Sequence, residues 1–344
     1  MTIVDAASEQ EMEPGLYVLV PIGVASLDRL PKPVPLVGGV VFTPFEDTWK
    51  DELRRFMEGL RKQYAVFSED HFEQFDKARF CLVKRFDAPG GGRPIYPAVC
   101  DPDELEMQQR ARAIHALSSP WLRSFTILVL AGKLHFGCFQ HWFGVQIPGP
   151  DYHKGIYCYT SMEVGWYGRL PREEEPVPVD AQFWANVSCI VGNLDIRQSK
   201  SRLTLAVDMF ARAIFAADLR AELLWLWITL ECLFSPSHDA GELSHQLCER
   251  AAVFLEPPGP TRIETYHTLR QAYVVRCELV HGNLHFDTDE QKTRFLDSIK
   301  AVEDVSRRSL LKILTNEEQI ERFGGRGDGN KKYFEEQILN PMGA

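Results

Sequence analysis

The sequence predicts two unlike halves: an α+β domain of mainly antiparallel strands with a few helices, then an all-α helical bundle. Three observations carry that expectation. Runs rich in Val, Ile, aromatic and Gly residues, bounded by turn signals, crowd residues 15–168. A proline-rich acidic stretch, LPREEEPVPVD at 170–180, then changes the texture. Beyond it, apolar residues recur at helical spacing almost without a break as far as residue 315.

In the first half, GLYVLVPIG (15–23), PLVGGVVFTPF (35–45), RFCLVKRF (79–86), SFTILVLAGKLHFGCFQHWFGVQ (124–146) and GIYCYTSMEVGWYG (155–168) read as strands. Between them, EDTWKDELRRFMEGLRKQYAVF (46–67) sets Trp49, Leu53, Phe56, Met57 and Leu60 along one helical face. A second helix is expected over 101–119, where Asp101 can cap and Pro102 suits a first turn. In the second half, helices are expected at about 181–194, 200–217, 218–235, 241–256, 261–281 and 289–315. The joints SPSHDAG (235–241), EPPGP (256–260) and GNLHFDTD (282–289) hold the residues that stop helices. The Gly-rich polar end reads as a flexible tail. The expected divisions are therefore 1–175, 181–316 and a tail at 323–344.

A chain of 344 residues suits two domains, and 45% hydrophobic with 25% charged residues is globular composition. The net charge is −10 and no region is basic in bulk. Tight, sequence-blind binding to nucleic acid through counterion release is not expected, which leaves room only for a small positive cleft. Eight cysteines lie scattered with no CxxC pair, several inside apolar runs, as reduced thiols do. The opening MTIVDAASEQEMEPG has no apolar core and does not read as a signal peptide. The most apolar stretch, LRAELLWLWITLECLF (219–234), is shorter than the roughly 20 residues of a membrane span and is broken by Arg220, Glu222 and Glu231. A cytoplasmic protein with no membrane partner is the expectation.

The stretch 218–235 is apolar nearly all round and so belongs at the centre of the bundle. Glu231 in TLECLF then needs a partner. Arg276, set among the apolar residues of YVVRCELVHG, is the expected one. His281 closes that helix, followed by Gly282 where helices stop through a left-handed residue. A structural role is open to this histidine: a ring in the last turn can bind free carbonyls and meet the negative end of the dipole. Five residues separate Arg276 from His281, about 7.5 Å of rise and about 140° of rotation. A site using both therefore needs an open helix end or a second copy of the chain.

Arg-x4-His ending in HG, the preceding LECLF helix and the intervening ELSHQLCERAAVFL (242–255) together resemble the Apea-like branch of the HEPN superfamily, over about residues 181–315. The resemblance implies a small helical bundle, many of whose relatives are metal-independent endoribonucleases of anti-phage and toxin systems. It implies a homodimer in which two Arg-x4-His motifs face each other across a two-fold axis. It puts Arg276 and His281 in the catalytic roles, with Glu231 holding the arginine. RNA is the implied substrate. Active members often carry Asn, Asp or His straight after the arginine; this chain has Cys277, and Glu278 adds negative charge beside a site for RNA. A catalytically silent bundle serving as a dimerisation or RNA-binding scaffold is the alternative.

Neither metal nor cofactor is expected. His135, Cys138 and His141 invite a zinc reading, but strand periodicity sends Cys138 to the opposite face from the two histidines, and no fourth ligand is near. His281 and His285 straddle Gly282 and are not a helical pair. There is no GxGxxG after a strand, no Walker A loop and no GxSxG elbow. The aromatic strand segments WFGV (142–145) and GWYG (165–168) read as core before binding face. If the second half is a nuclease, the first most economically senses or recruits, with a phage-derived or other trigger as its partner.

Overall fold

The computed structural model describes residues 15–24, 33–36, 39–45, 47–64, 69–86, 124, 126–131, 136–138, 141–147, 155–160, 180–196, 202–216, 218–235, 243–324 and 329–339. The chain divides into two compact units, Met1–Ala181 and Gln182–Ala344.

The first unit is built on an antiparallel sheet. Its strands are β1 (Gly15–Val24), β2 (Val34–Pro35), β3 (Val40–Pro44), β4 (Phe80–Phe86), β5 (Phe136–Cys138), β6 (His141–Ile147) and β7 (Gly155–Thr160). They run in the order β2-β3-β4-β1-β6-β7, with β5 also on β1. The β1–β6 pairing ends at Leu19 opposite Phe143, and the β1–β5 pairing begins at Ile22 opposite Cys138. Pro21, which has no N–H to give, falls in that interruption. On the sheet, Val40, Phe42 and Leu82 are fully buried, as apolar side chains on a covered pleated face should be.

Helices α1 and α2 fall between β3 and β4. α1 (Asp47–Tyr64) buries Leu53 and Met57 at i,i+4, the spacing read from the sequence. α2 (Glu69–Lys77), not anticipated, buries Phe72 and Phe75, and the latter meets Phe45 edge-on. Arg54 donates to both carboxylate oxygens of Asp76 at 2.6 Å, while Lys50 Nζ donates to the carbonyls of Asp76 and Ala78 at the end of α2.

One strand reading is corrected. Ser124 and residues 126–131 are helical and buried, and among the described residues of this run the first strand is β5. A continuous apolar run such as SFTILVLA has no alternation, so periodicity cannot separate a buried helix from a buried strand. The helix expected at 101–119, residues 161–168 of the last strand, and His135 lie outside the described residues.

The second unit is helical throughout its described residues: α3 (Ala181–Ile196), α4 (Arg202–Ile214), α5 (Leu219–Phe234), α6 (Leu243–Leu255), α7 (Pro260–Val280), α8 (Asp289–Leu314), α9 (Glu317–Gly324) and α10 (Gly329–Leu339). α5 is the hub, packing against α4, α6, α7 and α8. Its Leu223, Leu226, Trp227, Leu230, Leu233 and Phe234 are all buried. Asp218 caps its start through a bond from the Arg220 N–H. α8 begins in a full capping box between Thr288 and Gln291.

The flexible tail expected from residue 323 is also corrected, because α9 and α10 continue the bundle. Phe323 and Phe334 are buried and meet each other, and both meet Phe234; Phe323 also meets Phe254. The Arg250 guanidinium lies 5.5 Å over the Phe334 ring. Glycine and charge dominate this segment's composition, while two well-placed aromatics decide where it goes. Among the described residues, no helix is long and apolar enough to cross a membrane.

Candidate functional site

α7 carries most of the candidate residues, so the way it ends matters. Pro260 opens the helix after Gly259. At the other end His281 is the C-cap, and Gly282 takes the left-handed conformation at φ +71°. The N–H of Gly282 donates to the Leu279 carbonyl and the N–H of Asn283 to the Glu278 carbonyl. That double closure is a Schellman motif. It satisfies the Glu278 and Leu279 carbonyls from the backbone itself. The His281 ring is exposed and makes no hydrogen bond or ion pair among the described residues. The carbonyl-binding role open to this imidazole is thus filled by backbone N–H groups.

Arg276 lies one and a half turns earlier and faces the bundle. Its Nη2 donates to Glu231 Oε1 on α5 at 3.3 Å. The pair expected from the sequence is therefore formed, and it is only partly enclosed, the two side chains being 26% and 27% exposed. The guanidinium carbon sits 5.5 Å from the centroid of the Tyr273 ring, one helical turn back on the same face. Tyr273 in turn meets the buried Trp227 of α5 edge-on at 5.1 Å. Arg276 Nε is buried with no hydrogen-bond partner among the described residues. The guanidinium is gripped through one nitrogen and one face, with other Nη donors left over.

Burial raises the Glu231 carboxyl above its ordinary value, and Arg276 opposes part of that rise. The Tyr273 phenol is likewise pushed up by burial, with Arg276 lowering it in part. Cys232, beside Glu231, has its thiol raised by burial, which removes any claim to an activated thiolate.

Set against family models, curated proteins and solved structures, the chain matches none.

Two neighbours of Arg276 complete the site. Cys277 is a half-buried thiol outside any disulfide. Glu278, whose charge the sequence leaves unpartnered, meets Arg294 of α8: Nη1 and Nη2 each donate to one carboxylate oxygen, at 3.1 and 3.0 Å. That fork-on-fork pairing offsets its negative charge locally.

Cationic groups also gather at the last turn of α5. Arg202 Nη2 donates to the carbonyls of Glu231 and Ser235, and Arg250 Nη1 to that of Phe234. With Arg276 on Glu231, arginines from α4, α6 and α7 converge on one helix end, where the macrodipole favours positive charge. Sequence reasoning found Arg276, Glu231 and His281 and missed Tyr273 and Arg294. Tyr273 had a legible signal, since Tyr-x2-Arg puts both side chains on one helical face. Arg294 had none, because its partner comes from another helix. Among the described residues, no group of three or more His, Cys, Asp or Glu side chains could hold a metal ion.

Proposed function

We propose that the chain is a metal-independent endoribonuclease of HEPN type, acting as a homodimer whose Arg-x4-His motifs share one cleft. The observation that carries this reading is the unequal treatment of the two motif residues. Arg276 is oriented by Glu231 and Tyr273 yet keeps donors to spare, while His281 stands exposed with no partner among the described residues. One group is held and the other is available, as the two roles require. A metal-free cut needs a base to take the 2′-hydroxyl proton and an acid to protonate the departing 5′-oxygen. It also needs a fixed cation for the charge on the phosphorane. Histidine suits the proton work near neutral pH, and arginine forks onto phosphate oxygens. The products would be a 2′,3′-cyclic phosphate and a 5′-hydroxyl. Glu231 positions the arginine; Cys277 and Glu278 flank it, the latter drawn toward Arg294. Independence from metal, dimerisation, the cytoplasmic setting, a role in anti-phage defence, and a trigger read by the first unit all rest on the family resemblance.

A silent dimerisation or RNA-binding scaffold is the second reading. It is favoured by Cys277 following the arginine and by the engagement of Arg276 with Glu231. The two part in one experiment. Wild type and His281→Ala are incubated with a mixed RNA pool in EDTA, and the product ends are analysed. Cleavage by wild type alone, leaving 2′,3′-cyclic phosphates, supports the nuclease. Dimers that bind RNA without cutting it support the scaffold, and monomers that ignore RNA sink both.

A further inference from the structure

Just past His281 the chain lines a small cavity of about 140 Å³ between the end of α7 and the start of α8. We propose that it receives a single RNA base next to the scissile phosphate and so sets the cleavage preference; this rests on the nuclease reading above.

Three features carry the proposal. Part of the lining is apolar, from Leu284 and the buried Val275 and Phe295. The rest of the lining carries hydrogen-bonding groups with capacity left over. The Asn283 side-chain amide and the exposed His285 imidazole make no hydrogen bond among the described residues. Gln291 spends its Oε1 on the backbone N–H groups of Asp287 and Thr288, leaving its Nε2 donors. The Glu278–Arg294 pair uses two of the arginine's five N–H donors and about two of the carboxylate's four acceptor sites. The lining thus offers donors beside acceptors, the pattern a base edge needs. The planar His285 and Arg294 side chains are also of the kind on which splayed-out RNA bases stack.

Size narrows the occupant. Pockets for drug-sized ligands run to about 300–1,000 Å³, so this cavity suits one ring system and not a whole nucleotide. Sugar and phosphate would remain outside, on the side where the chain leads back through Gly282 to His281.

The test uses the full chain and the four nucleoside 5′-monophosphates, with ribose 5-phosphate as the baseless control, followed by calorimetry or by NMR of histidine ring signals. At least one nucleotide should bind about tenfold more tightly than ribose 5-phosphate. Glu278→Gln and His285→Ala should each weaken that nucleotide about tenfold, the value of one charged or well-placed hydrogen bond, and leave the control unchanged. Because His285 is exposed, its variant should melt as wild type does. Equal binding of ribose 5-phosphate would reveal a phosphate site and overturn the proposal, as would indifference to every nucleotide. The nuclease reading fails separately: nucleotide binding without RNA cleavage leaves the pocket standing, and cleavage without nucleotide binding removes the pocket alone.

Discussion

Arg276 and Tyr273, three residues apart on one helix, lie guanidinium over ring at 5.5 Å, and the same arginine reaches Glu231 on another helix at 3.3 Å. The ring is itself braced edge-on by the buried Trp227. An arginine held on two sides has few rotamers left, which is how a catalytic or phosphate-binding cation is kept in register.

The ring, more than its hydroxyl, should matter. Tyr273→Phe keeps both the stack under Arg276 and the contact with Trp227, so its melting should stay within about 0.5 kcal/mol of wild type. Tyr273→Leu gives up both aromatic contacts and should lose about 1–2 kcal/mol. Urea melts of the two variants check the order; equal losses would make the hydroxyl the important part.

His281 and Arg276 should separate stability from function. His281 is exposed and unpartnered among the described residues, so His281→Ala should change unfolding free energy by no more than about 0.5 kcal/mol. Arg276→Ala leaves the half-buried Glu231 without its ion-pair partner and should cost about 2 kcal/mol. Both should abolish RNA cleavage. A strongly destabilised His281→Ala would make the histidine a structural cap.

The pH dependence of the Glu231 contribution has an unusual sign. Burial raises this carboxyl above the ordinary 4.5, outweighing the attraction of Arg276. A carboxyl raised in the folded state stabilises folding fully below its unfolded value, and that stability is lost as pH rises through the folded value. Wild type should therefore lose ground to Glu231→Gln as pH rises from below 4.5 through the raised folded value, read from urea midpoints. A surface ion pair, whose carboxyl is depressed, would show the reverse trend.

Gly282 should resist replacement for a backbone reason. A Cβ there would meet no atom within 4 Å, yet φ is +71°. Gly282→Ala should thus destabilise by about 1 kcal/mol through conformation alone. Gly282→Asn should cost less, since Asn tolerates the left-handed region. Thermal melts of the pair test this, and cleavage assays would show whether loosening the Schellman closure moves His281.

Phe334→Ala should release α10. The ring is fully buried among Phe234 and Phe323, under Arg250. Its removal should cost about 3 kcal/mol or detach the helix. Limited proteolysis near residues 325–339 would reveal detachment; unchanged protection would mean that the neighbouring rings close the gap.

The helical half was largely legible because its signals are local. The apolar stripe of α8, Pro260 opening α7 and Gly282 ending it each act within a few residues. The Glu231–Arg276 pair could be inferred because each charge sits in an apolar stretch that obliges it to find a partner. The helix over 126–131 was not legible, since a buried apolar run has the same composition in either backbone. Nor was the order of α9 and α10, whose anchors Phe323 and Phe334 find their partners far away in the chain.

The sequence by itself determined about where the helices α3 to α8 lie, that α5 would be central, and that Glu231 and Arg276 would pair. Those follow from capping chemistry, periodicity and the cost of burying a lone charge. Only the tertiary structure decided that Tyr273 would underlie Arg276 and that Arg294 would take up Glu278. It also decided that backbone N–H groups would satisfy the carbonyls His281 could have served. Each of these depends on how side chains on separate elements, or a particular backbone closure, meet in space, and spacing along one chain does not contain that information.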